Sequence, residues 1–285
     1  MAFTVHDSFD EFIKNISISC DYSDKIEERT NLVMKLLSKK FDVLEIFPVG
    51  SLVTYTPIRG HINIDIILVL HYAKYIRKRE PLALLEMIKK TLRTYKVEIT
   101  RKNTHAVSLK FNKPPNVNII PASKVSDGDV FSHYNIPSTD KDIWIASNPK
   151  IHTQKMRDLS IYKGQLVQII KEWNICHSSH LSSFHIDNMA LTYEDDVNSD
   201  LPWHICKFFK HIYEELEIDM VNPNGLGSHV DDYLDNYTRE ELLKLINETI
   251  TKTYDAWYEV YSDKSHKLSI EIYRECFGER FPKYG

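Results

Sequence analysis

Hydrophobic and polar positions along the chain change period near residue 150. Residues 43 to 125 carry short β-rich runs, "VLEIFPVG", "INIDIILVL", "KVEIT", "HAVSLKF" and "VNIIPAS", with one helical pattern, "EPLALLEMIKKTLRTY", between the second and third. From about residue 153 the apolar spacing is helical: "QKMRDLSIYKGQLVQIIKEWN", "HLSSFHIDNMALTYE", "LPWHICKFFKHIYEEL" and "TREELLKLINETITKTYDAWYEVYSD". Thr238 followed by Glu241 gives the last of these a capping-box spacing. The first 40 residues also read as helical, with Ile26, Leu32, Val33, Leu36 and Leu37 at helix spacing, and are expected to bridge two lobes. The expected architecture is α+β: a sheet lobe with its N-terminal helix over 1–150, a helical lobe over 151–285, and a ligand cleft between them.

Within the sheet lobe, "VGSLVTYTPIRGHINIDIILVL" (residues 49–70) departs from a plain strand–turn–strand. A strand that ends at Gly50-Ser51 and enters a short helical turn brings backbone N–H groups and a hydroxyl to where an anion could meet them, and glycine lets a phosphate approach. In "INIDI" the alternation sets Asn63 and Asp65 on one face while Ile62, Ile64 and Ile66 point to the core. Alternation alone would also give a solvated strand face. A second short strand, "NVNIIPAS", sets Asn118 between Val117 and Ile119. Asn63, Asp65 and Asn118 then form a three-oxygen candidate site for Mg²⁺.

These residues resemble the signature of DNA polymerase β-like nucleotidyltransferases, in which a Gly-Ser turn precedes an Asp-x-Asp strand and a third carboxylate stands on a later strand. "VNIIPA", "WIASNPKIH" (144–152), "IIKEWN" (169–174), "SSFHID" (182–187) and "VNPNGLGSHVDDYL" (221–234) are similar, in the expected order, to segments of the CD-NTase branch, the bacterial enzymes related to cyclic GMP-AMP synthase and oligoadenylate synthetase. The resemblance implies a polymerase β-like nucleotidyltransferase lobe and a helical lobe flanking the active site. It also implies a template-independent enzyme that joins NTPs into a short cyclic or linear oligonucleotide signal in bacterial antiphage defence, read by a downstream effector protein. Asn63, Asp65 and Asn118 would be the catalytic and metal positions, for Mg²⁺ or alternatively Mn²⁺. Gly50, Ser51, Lys171 and Ser183 would belong to the nucleotide-binding set, to which Arg59 is added from its place in the loop before the Asn63 strand, where it could meet a triphosphate.

The sequence departs from that pattern where the chemistry is most sensitive. Only Asp65 is an acid; Asn63 and Asn118 take the other two carboxylate positions, and Asn222 stands where the family usually has Asp. An amide offers a carbonyl oxygen but no charge. At roughly 3 kcal/mol per lost electrostatic contact, two such changes lower a rate by on the order of 10⁴ or more. The chain therefore reads as a synthase with a silenced site, or as a pseudoenzyme of the same fold that binds nucleotides or oligonucleotides. Tyr55 stands where the family often has glycine. Glu98 and Asp127 are further acids close in sequence to the site.

Composition narrows the alternatives. The chain of 285 residues has a net charge of −4, which disfavours stable binding of duplex nucleic acid and an RNA-tailing role. Its longest apolar run, Ile66 to Leu70, is far short of the roughly 18 residues of a membrane span, and "MAFTVHDSFDEF" lacks a signal-peptide pattern, so a cytoplasmic protein without membrane contact is expected. Four dispersed cysteines suggest buried thiols, and "CHSSH" (176–180) lacks the second ligand pair of a zinc site. Trp173, Trp203, Phe208 and Phe209 fall at helical spacing expected of core residues.

Overall fold

The structure is a computed structural model that describes residues 4–18, 22–100, 106–126, 132–138, 142–195, 197, 200–221, 229–262 and 265–285. A sheet is built from β1 (Val43–Val49), β2 (Asn63–Leu70), β3 (Lys96–Thr100), β4 (Ala106–Lys110) and β5 (Asn116–Ser126), in the order β1-β2-β5-β4-β3. β6 (Ser132–Ser138) pairs with the end of β5 and with β7 (Ile143–Ser147). The five strands expected from the sequence are all present; β6 and β7 were not anticipated. Among the described strand pairs only β2 and β5 run parallel, and their register sets Asp65 beside Asn118 and Asn63 beside Asn116. β1 is antiparallel to β2, with Val49 opposite Asp65.

The alternation in β2 sorts its side chains as expected. Ile64, Ile66, Leu68 and Leu70 enter a core with Val107, Leu109, Val117 and Ile119, covered by Val33 and Leu37 of α2 (Ser23–Leu37) and by Leu84, Leu85 and Ile88 of α4 (Pro81–Thr91). The opposite face is polar at its start, Asn63 and Asp65, and apolar further on, where Ile67 and Val69 meet Ala122 and Tyr134. A short helix, α3 (Tyr72–Tyr75), follows β2.

The second layer is helical: α5 (Pro149–Arg157), α6 (Ile161–Cys176), α7 (Ser183–Thr192), α8 (Leu201–Glu217), α9 (Asn236–Ser262) and α10 (His266–Phe277). Trp173, Phe208 and Phe209 are fully buried in its core, whereas Trp203 is partly exposed against Trp257. The N-terminal segment corrects one expectation. It forms two helices rather than one bridge. In α1 (Val5–Ile16), Val5, Phe9, Phe12 and Ile16 make a single apolar face that joins the helical-layer core against α6, α8 and α10, while α2 packs on the sheet. The "QKMRDL…EWN" pattern likewise splits into α5 and α6, because Ser160 caps a new helix by accepting from Lys163 N–H. Thr238 lies inside α9, whose first turn is capped instead by Asp235, which accepts from Thr238 N–H at 2.7 Å.

Candidate active site

Gly50 leaves β1 with φ +81°, a left-handed conformation that favours glycine, and a Cβ built there would overlap Asp65 Oδ2. The absence of a side chain is what lets the turn lie against the carboxylate. The chain then coils tightly over 51–55: Val53 and Thr54 N–H donate to Gly50 O at 3.0 and 3.1 Å, and Thr56 N–H to Ser51 O at 3.0 Å. Tyr55 takes φ +60°, a left-handed conformation uncommon for a residue with a side chain, with its ring largely exposed. Arg157 holds it by donating to Tyr55 Oη at 3.1 Å.

Asp65 is partly buried, and Asn118 Nδ2 donates to its Oδ1 at 2.8 Å. Burial pushes the Asp65 carboxyl up to about 6, against the opposing pull of that hydrogen bond and of the Lys171 charge. Asn63 shares the face of Asp65, and its lateral neighbour, Asn116, uses its own Oδ1 to accept from Phe111 N–H at 3.1 Å. Three of the sequence-derived residues, Asp65, Asn118 and Gly50, therefore meet directly, with Asn63 one pleat away and Ser51 next in the turn.

Other candidates stand elsewhere. Arg59 is engaged by α1: its guanidinium donates to Ser17 O at 3.0 Å and Lys14 O at 2.8 Å, satisfying carbonyls left over at the C-terminal end of that helix. Lys171 is buried, with Nζ 2.7 Å from Asp187 Oδ1 and 3.0 Å from Thr56 Oγ1. Ser183 is exposed at the start of α7, whose cap is the preceding Ser182, accepting from His185 N–H at 3.1 Å. Glu98 is an exposed β3 residue 4.0 Å from Lys110. Asp127 and Asn222 lie outside the described residues. "CHSSH" gathers no metal set, because His177 Nδ1 pairs with Trp173 O and Cys176 Sγ lies against Phe277 O.

The donor chemistry bears on a divalent metal. Three side chains on one patch supply a single negative charge, and Asn118, which donates its Nδ2–H to Asp65, has only a neutral carbonyl oxygen for a cation. This set does not fit a pair of Mg²⁺ ions, which calls for several anionic oxygens. Among the described residues, Asp219, His229 and Asp231 also lie close together, but Arg239 donates to Asp231 Oδ2 at 2.7 Å and so occupies that cluster with its own cation.

Residues 3–159 match the Second Messenger Oligonucleotide or Dinucleotide Synthetase (SMODS) domain, over more than half of the chain. The chain belongs to this family, that of the CD-NTases. Its whole fold superposes on Escherichia coli MS115-1 CdnC with ATP at a TM-score of 0.78, with 16% identity over 97% of this chain and 98% of that one. With the CD-NTase CdnG of Bradyrhizobium diazoefficiens in complex with GTP the TM-score is 0.76, with 13% identity over 97% and 95%. A probable cyclic nucleotide synthase of Bacillus cereus (strain VD146) is 24% identical over 177 residues, 58% of this chain and 51% of the relative, so the chain spans about half the length of the curated relative it matches. CD-NTases generally use divalent metal ions. No helix among the described residues is long and apolar enough to cross a membrane.

Proposed function

We propose that the chain is a template-independent nucleotidyltransferase that binds NTPs over the Gly50-Ser51 turn and joins them into a short cyclic or linear oligonucleotide signal, at a rate held low by Asn63 and Asn118. The observation that carries this reading is the in-register contact of Asn118 with Asp65 directly beside Gly50. On this reading the site has the shape of a phosphoryl-transfer platform with less charge than such a platform needs. In the reaction, a sugar hydroxyl oxygen forms the new bond to the α-phosphorus of an NTP, the bond to the leaving pyrophosphate breaks, and the hydroxyl proton is released. Gly50 and the Ser51 hydroxyl contribute close approach and a hydrogen-bond donor to the phosphates, and Ser183, exposed at the start of α7, faces solvent where a ribose or phosphate is accessible to it. A divalent cation in a CD-NTase neutralises phosphate charge; of the three positions here, only Asp65 has a carboxylate to hold one.

Relatives named as a probable cyclic nucleotide synthase, and as solved with ATP or GTP, support NTPs as the substrate class. Antiphage defence, with an effector protein reading the product, is the biological setting we propose on the same family grounds. A second reading is favoured by the Asn118–Asp65 hydrogen bond itself: a site that satisfies its own carboxylate suits a protein that binds nucleotides without turning them over. Pyrophosphate release from an NTP mixture with Mg²⁺ or Mn²⁺ separates the two. Release that depends on Asp65 supports the transferase, and NTP binding with no release, even after acids are restored at 63 and 118, supports the binding protein.

A further inference from the structure

α6 buries three polar side chains on one face, Gln168, Lys171 and Glu172, at a spacing that puts them side by side. Helices seldom hide such groups unless each has a partner. Here the partners converge on one short segment. Gln168 Nε2 donates to Pro57 O at 2.9 Å, Lys171 Nζ to Thr56 Oγ1 at 3.0 Å, and Arg280 joins Glu172 Oε2 (3.1 Å) to Arg59 O (3.0 Å). Residues 56–59 are thus clamped to the helical layer at successive points.

The Lys171 contact leads further, toward the phosphate turn. Thr56 Oγ1 shares a 3.1 Å hydrogen bond with Thr54 Oγ1, which lies 3.3 Å from Gly50 O, and both threonines are buried. On the other side Lys171 is fixed by Asp187 Oδ1 at 2.7 Å, and His152 Nε2 lies 3.6 Å from Asp187 Oδ2. A polar chain therefore runs from α5 and α7 through Lys171, Thr56 and Thr54 to the Gly50 carbonyl, beside Asp65.

We propose that Lys171 is a positioning residue: Asp187 holds its ammonium in place, and through the Thr56 hydroxyl it fixes the Gly50–Thr56 turn in the shape that receives an NTP. Lys171 then acts on the nucleotide through the turn, linked to it by the Thr56 hydroxyl and held by Asp187. This rests on the reading that NTPs bind over Gly50-Ser51.

Thr56→Val keeps the side-chain shape and removes the hydroxyl; Thr56→Ser keeps the hydroxyl and removes the methyl group. Binding of radiolabelled ATP, GTP, CTP and UTP to each full-length variant is measured by equilibrium filtration, together with hydrogen exchange of the backbone amides. If the unaltered chain binds none of the four, the NTP-binding reading itself fails. If it binds, the expected result for Thr56→Val is affinity weaker by about tenfold or more, as loss of a hydrogen bond from a charged donor implies, with protection lost at Val53, Thr54 and Thr56 and retained in α6. Thr56→Ser is expected to bind as the unaltered chain does. Equal NTP affinity in Thr56→Val overturns the proposal. Should Thr56→Val fail to fold, Thr56→Ala is measured in the same way; if both unfold, the hydroxyl supports the fold in general and the positioning role is overturned.

Discussion

Asn118 differs from an aspartate by one NH₂ group in place of an oxygen, and that group sits 2.8 Å from the Asp65 carboxylate. With aspartate there, two anions would face each other across adjacent strands, and only a cation would relieve them. With asparagine the pair is satisfied alone. The remaining charge on Asp65 still carries a burial penalty, and its sign can be worked out. Its folded value of about 6 lies above the ordinary 3.8, so the folded state binds the proton more tightly and stability falls as pH rises through that window. Above it, roughly 3 kcal/mol of folding stability is forfeited. Asp65→Asn is therefore expected to raise the melting temperature by several degrees at pH 7.5, with the gain vanishing near pH 4, while abolishing any nucleotide incorporation. Thermal melts across that range check it, and a pH-independent or lower melting temperature contradicts it. Gly50→Ala is expected to act oppositely: its Cβ overlaps Asp65 Oδ2 at a positive φ, so both the melting temperature and NTP affinity should fall.

At the scale of elements, the two serines at the head of α7 divide structural from exposed roles. Ser182→Ala removes the cap on His185 N–H and should cost about 1 kcal/mol in chemical denaturation. Ser183→Ala should leave stability nearly unchanged, and any effect it has should appear in NTP affinity. The element scale also shows what was legible in the sequence. The period-2 alternation of "INIDI" was enough to place Asn63 and Asp65 opposite the core, because one face of β2 had to be buried. The register that puts Asp65 beside Asn118 was not readable, since it joins strands more than 50 residues apart and depends on long-range pairing. Lys171 was singled out on resemblance, yet its burial was hidden. In "QIIKEW" a helix lysine is ordinarily solvated, and only the structure shows Gln168, Lys171 and Glu172 as one buried polar face. Arg59 was misleading because a loop arginine ahead of a candidate site looks available, whereas the carbonyls at the end of α1 had already claimed it.

For the whole molecule, the two layers are held together by polar chemistry at the turn and by an N-terminal segment that gives one helix to each. The sequence showed the change of period near residue 150 but not that residues 5–16 belong with the later helices, because an amphipathic helix does not name its partner. Phe12 packs against Phe277 and Phe281, so Phe12→Ala should destabilise the helical layer by about 3–5 kcal/mol. Hydrogen exchange should show the loss in α6, α8 and α10 before the sheet.

The central claim, that a synthase platform is kept in shape and stripped of charge, is tested most directly by nucleotide incorporation. Labelled NTPs with Mg²⁺ or Mn²⁺ are given to the chain as it stands and to the Asn63→Asp, Asn118→Asp double variant. The account predicts little or no product from the former and a rise on the order of 10⁴ from the latter, lost again when Asp65 is also replaced by Asn. Equal rates from the two proteins, or no product from the double variant despite intact NTP binding, would contradict it.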